Sequence, residues 1–151
     1  SDSDTLTVTV DVTNTGSTEG KEIVQLYVRD LTDAVQRPLK ELKCFDKVSL
    51  KPGETKTASF TLDYRSFAWY HTGIQDWCAK TGDYEIVIGG ASRDIHLTQK
   101  IHLNTKKKLP LNVHMNTTLG ELLSDERTIP FGLDFKNRMD AFFGAQLTPR
   151  I

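Results

Sequence analysis

The chain is 151 residues long, and although 26% of them are charged the formal net charge is only −1. That balance gives no reason to expect a nucleic-acid or polyanion partner, and no apolar run approaches the ~20 residues a bilayer demands. The length allows one domain with an appendage. Two cysteines, Cys44 and Cys78, are too few for a disulfide scaffold and have no metal-ligand spacing. They are expected to be free, buried thiols, with a disulfide between sheets as the alternative. The chain opens on Ser-Asp-Ser-Asp without an initiator Met or a signal-peptide pattern, and so reads as a fragment or processed piece.

In chain order, Leu6, Val8, Val10 and Val12 alternate with polar residues as in a half-buried strand, which Asn14-Thr15-Gly16-Ser17 and Glu19-Gly20 end. Ile23 to Val28 follows as a second strand, with Val24, Leu26 and Val28 on one face. Asp30 to Arg37 has no period and reads as a loop ending at Pro38. Leu42, Phe45, Val48 and Leu50 make the next apolar strand. A β-bulge near Cys44 is needed to bring Leu42 and Phe45 onto one face. Lys51-Pro52-Gly53-Glu54 has the chemistry of a type II turn, and Ala58, Phe60 and Leu62 then alternate with threonines and Ser59. This pair of strands reads as a hairpin in need of a second sheet.

Asp63 is placed to cap a short helical turn. Phe67 to Tyr70, the Thr72-Gly73 turn and Asp76-Trp77-Cys78 form a small aromatic out-and-back. Tyr84, Ile86 and Ile88 share a strand face, and Ile95 to Leu103 alternate after Gly89-Gly90. Seven or eight short strands spaced by turns predict an all-β antiparallel sandwich over residues 5–103, with Val8, Val10, Leu26, Phe60, Leu62, Ile86 and Ile88 in its core. Residues 104–151 form a C-terminal extension. Lys106-Lys107-Lys108 reads as a solvated linker, Thr118 and Glu121 as a capping box, and Asp134 as the cap of a second helix carrying Phe135, Met139, Phe142 and Phe143 before Gly144. So short a tail cannot enclose its own core and must pack on something.

The run from Arg37 to Asp63, RPLKELKCFDKVSLKPGETKTASFTLD, closely resembles the fibronectin type III-like domain of family 3 glycoside hydrolases, the β-glucosidase and β-xylosidase family. Gln25-Leu26-Tyr27-Val28 before it, and Gly82 to Ile86 with Gly89-Gly90 after it, match in the same order. The resemblance runs from about Thr5 to Ile101. It implies a fibronectin type III / immunoglobulin-like sandwich, with Cys44 standing where the family favours Gly. It also implies catalytic domains elsewhere in a parent: the nucleophilic Asp of such enzymes sits in a (β/α)8 barrel and the acid/base residue in an α/β domain, and neither motif occurs here.

The residues themselves offer little chemistry. Asp11, Asp30, Asp33, Glu54, Asp83 and Asp94 fall in turns or on polar faces and read as solvated. There is no GxSxG, HExxH or phosphate loop. His96 and His102 are about 20 Å apart along an extended strand, too far to share a metal. His71 reads as a hydrogen-bonded structural residue. Trp69, Tyr70 and Trp77 fit either core or interface packing or a stacking platform for sugars. Arg37 fits either an interface fork, on the side the resemblance turns toward the catalytic domains, or a solvated loop position. The expectation is therefore a non-catalytic accessory domain without cofactor, metal or catalytic residues. Arg37, Trp69, Tyr70 and Trp77 are its candidates for the substrate rim or an interface. Its partners are the parent's catalytic domains, with carbohydrate reached through the parent. A carbohydrate-binding module and a protein-interaction sandwich are the alternatives.

Overall fold

Alternating apolar and polar residues settle as strands where a facing surface buries the apolar half. The computed structural model, which describes residues 4–107, 109–111 and 113–144, shows this across the first two thirds of the chain. Strand β1 (Leu6–Thr13) pairs antiparallel with β4 (Thr55–Leu62), and the two form one sheet. The second sheet has the order β3-β2-β7-β8, from Glu41–Leu50, Gly20–Asp30, Gly82–Gly89 and Ile95–Leu103. A short pair, β5 (Trp69–His71) and β6 (Asp76–Cys78), stands apart as a third ribbon. The fold is an antiparallel β-sandwich with a short helical tail. Described residues up to Leu109 make one compact unit and those from Pro110 a second.

One continuous core joins the two main sheets. Leu26 and Tyr84 from one sheet and Leu62 from the other are fully enclosed, with Phe60, Ile86 and Ile88 nearly so. Val8 and Val10 are half-buried and pack against that cluster, because β1 lies at the edge of a two-stranded sheet. The ring of Phe67 meets Tyr84 edge-on at 5.4 Å. Cys44 and Cys78 are both free, and burial pushes both thiols up from their ordinary pKa.

The turn at Lys51–Glu54 forms as its residues dictate: Gly53 adopts φ 74°, and Glu54 N–H donates to Lys51 C=O at 3.0 Å. It does not close a hairpin. β3 pairs with β2 and β4 with β1, so the turn carries the chain from one sheet to the other. Each strand has one apolar face, and stacking the two strands in opposite sheets buries both faces against each other. Asn14 secures this crossing: its side-chain amide donates to Thr18 C=O and Leu50 C=O, and its oxygen accepts from Gly16 N–H.

The bulge lies at Lys43, where the register passes from Leu26↔Cys44 to Tyr27↔Leu42. It does put Leu42 and Phe45 on one face, but that face is the outer one, where they are 50% and 70% exposed. Cys44, Val48 and Leu50 take the inner face. Asp63 caps the 3-10 turn Tyr64–Ser66 in a reciprocal box with Ser66.

In the tail, Thr118 and Glu121 form the expected capping box ahead of α1 (Leu119–Leu122). The second helix, α2 (Ile129–Phe143), starts five residues before Asp134. Pro130 fits its first turn because that N–H would be unpaired anyway. Thr128 precedes it but gives its hydroxyl proton to Leu122 and Asp125 carbonyls rather than capping. Asp134 is a mid-helix residue paired with Arg138.

Candidate functional site: a cleft between the arginine loop and the aromatic hairpin

The loop from Leu31 to Lys40 carries Arg37 back beneath the start of β5. Its side chain is 10% exposed, and the guanidinium donates to Phe67 C=O at 2.8 Å and Ala68 C=O at 3.3 Å. It also pairs with Glu41 at 2.8 Å and with Asp30, itself 8% exposed, at 3.4 Å. The fork does meet carboxylates and carbonyls, as suits a planar five-donor group, but all four belong to its own domain. Arg37 is thus neither solvated nor free to reach a partner, and Asp30 is not a solvated turn residue. The hydrogen bond from Arg37 holds the Glu41 carboxyl at a pKa of about 2, with Lys43 adding a second donor. Burial, reinforced by Asp30, pushes Tyr84 up to about 12.

Above this clamp lies an open cleft of about 530 Å³ walled by Arg37, Glu41, Lys43, Arg65, Trp69 and Trp77. The β5–β6 ribbon sets the aromatics: Trp69 lies opposite Cys78, and Tyr70 opposite Trp77. Trp69 and Trp77 are half-buried and Tyr70 is 50% exposed. Tyr70 meets Trp77 edge-on, with centroids 5.8 Å apart and planes at 74°. The Arg65 guanidinium lies over the Trp77 ring at 4.3 Å. Tyr70 and Trp77 are therefore not coplanar, and Trp77 already carries a cation, so this pair makes no flat platform for a sugar ring.

Lys107 fastens the ribbon from behind, donating to the Asp76 carboxylate and to Trp77 C=O at 3.1 Å. It is not a solvated linker residue; Lys108 lies outside the described residues. At the ribbon's end the Nδ1 of His71 is buried without a hydrogen-bond partner among the described residues. His96 and His102 are exposed and lie beside Asp94 and Asp83.

Five carboxyl groups are displaced downward by their neighbours. Glu41 is held low chiefly by Arg37, Glu54 by the Lys51 N–H, Asp76 by Lys107, Asp83 by Lys100 with His102, and Glu121 by the Thr118 N–H. A general acid needs the opposite displacement.

The comparisons with known proteins fit this geometry. Residues 22–92 match the model of the fibronectin type III-like domain. The thermostable beta-glucosidase B of Acetivibrio thermocellus is 47% identical over 125 residues, 83% of this chain but 17% of that enzyme. The crystal structure of the Bifidobacterium adolescentis GH3 beta-glucosidase superposes with a TM-score of 0.71 at 39% identity, over 84% of this chain and 19% of that one. The sandwich belongs to the fibronectin type III-like domains of family 3 glycoside hydrolases. The chain spans less than a fifth of these relatives' length. A third relative, at 42% identity over 85% of this chain and 16% of its own length, is the exo-alpha-(1->6)-L-arabinopyranosidase of Bifidobacterium breve.

In this fibronectin type III-like domain three of the four candidates, Arg37, Trp69 and Trp77, line one cleft, while Tyr70 supports it from the side. Glu41, Lys43 and Arg65 complete the cleft without having stood out in the sequence. Arg37 lies in the loop and Glu41 opens β3, so no helix gives their four-residue spacing meaning. Arg65, in the 3-10 turn, meets Trp77 on β6, and no local period links two positions so far apart in sequence.

Proposed function

We propose that this chain is the non-catalytic accessory domain of a retaining family 3 glycosidase that removes terminal β-linked sugars. It braces the catalytic domains, and the Trp69–Trp77 cleft lies at their interface or at the rim of the active site. The observation that carries this reading is the match to whole enzymes of which this domain is less than a fifth. Glu41 and Asp83 support it in so far as each is held low by basic neighbours, the opposite of the protonated acid a retaining glycosidase uses. So does the pairing of relatives: a beta-glucosidase and an arabinopyranosidase share this domain at 47% and 42% identity, as suits a part that frames chemistry done elsewhere. Carbohydrate comes to the domain only through the parent.

The test assays this chain on aryl β-glucosides and β-xylosides beside the parent enzyme and a parent lacking the region from Thr5. The chain alone is expected to give no turnover, and the shortened parent to lose activity and melt earlier. Turnover by the isolated chain, or an unaltered shortened parent, would overturn the reading.

A further inference from the structure

Helix α2 repeats large apolar residues at helical spacing. Phe131, Phe135, Met139 and Phe142 fall within an arc of about 80° at 100° per residue, with Phe143 beside them. Such a stripe normally marks the face a helix buries. Here α1 covers α2 at Gly132, where an added Cβ would meet Leu123 at 3.1 Å and Leu122 at 3.3 Å. A four-residue helix reaches no further: Phe131 is 65% exposed, Phe135 47%, Phe142 82% and Phe143 50%.

The charged residues of α2 argue against a lipid surface as the occupant. Its cations are spent on acids of the same helix, Lys136 on Asp140 away from the stripe and Arg138 on Asp134 beside it, whereas helices that lie on membranes carry an excess of Lys and Arg. The comparisons argue for the same polypeptide. A match of 125 residues is longer than the unit that ends at Leu109, so the tail at least as far as residue 125 is shared with an enzyme about six times as long as the matched region, and α2 follows directly on that stretch. A stripe tethered to the rest of such an enzyme meets it at an effective concentration of about millimolar, well above that of a second molecule.

We infer that the Phe131–Phe135–Met139–Phe142 stripe of α2 docks, in cis, into an apolar groove on the catalytic portion of the parent polypeptide. This is helix-in-groove recognition read at spacings of four, four and three residues. It rests on the accessory-domain reading and names the contact through which the tail serves it.

Hydrogen exchange over residues 129–143 is compared in the isolated chain and in the intact parent. Amides from Arg138 to Phe143 are expected to exchange ~100-fold more slowly in the parent. Phe135→Asp with Phe142→Asp should restore the fast exchange and hasten heat inactivation. Leu133→Asp, on the other side of the helix, should change neither. Equal exchange in both proteins, or double-variant exchange as slow as the wild type, overturns the inference. So does protection of the isolated chain that rises with its own concentration, which marks a second copy, or that appears only with anionic vesicles. If α2 is protected in a parent that hydrolyses no glycoside, the docking stands and the accessory-domain reading falls.

Discussion

In the sandwich, Leu26, Leu62 and Tyr84 are completely enclosed; in the tail, Phe131 and Phe142 stand mostly in solvent. Both regions carry apolar residues at the period of their own secondary structure, so the difference is one of partners. Two sheets present complementary faces to each other, whereas a four-residue helix can cover only a short stretch of a fifteen-residue one. Polar groups divide the same way. The sandwich buries an arginine and surrounds it with two carboxylates and two carbonyls, while the ion pairs of α2 lie along its own surface. A region that has found its partners can bury both kinds of group.

That contrast predicts the largest effect at Arg37. Arg37→Ala takes the guanidinium from Asp30 and from the Phe67 and Ala68 carbonyls and leaves Glu41 with Lys43 alone, and should cost about 3–5 kcal/mol in urea unfolding. Arg37→Lys should recover little, since an ammonium cannot span both carbonyls and both acids. A loss below 1 kcal/mol would mean that water replaces the guanidinium at no cost and the clamp is not a buried one.

Truncation of apolar side chains sharpens the comparison directly. Leu62→Ala opens a cavity in a closed core and should cost about 2–5 kcal/mol. Phe131→Ala in the isolated chain should fall within about 0.5 kcal/mol, because the ring is already in water. Similar losses at the two positions would mean that α2 is covered in the isolated chain.

The next effect is a pH dependence centred on Glu41. Its carboxyl titrates at about 2 in the fold, against an ordinary value of 4.5. A depressed folded pKa contributes stability above pH 4.5 and loses it as pH falls toward 2. The full contribution is about 3 kcal/mol, in a side chain 28% exposed. The gap in stability between wild type and Glu41→Gln should therefore narrow over that window; a constant gap would show that Arg37 does not hold the ionised form.

The smallest effect is local. Thr118→Ala removes the capping box and should cost about 1 kcal/mol of α1 stability, seen as faster amide exchange at Leu122 and Leu123. The melting of the sandwich should not move. A shifted sandwich transition would tie the two regions into one cooperative unit.

What the sequence determined by itself was whatever depends on neighbours a few residues away. The period of β1, β4 and β7, the Pro52-Gly53 turn, and the caps at Asp63 and Thr118 all follow from local sterics and hydrogen bonds, and all form as read. The family resemblance was legible too, because it rests on ordered motifs. Tertiary structure decided which surfaces those elements share. It sent β3 and β4 into different sheets, turned Leu42 and Phe45 outward, and brought Arg37 to carbonyls about thirty positions away. Local pattern says only that a face is apolar or a side chain can donate. Which face meets which, and which donor finds which acceptor, is set by the arrangement that buries the most apolar surface while leaving the fewest polar groups unpaired.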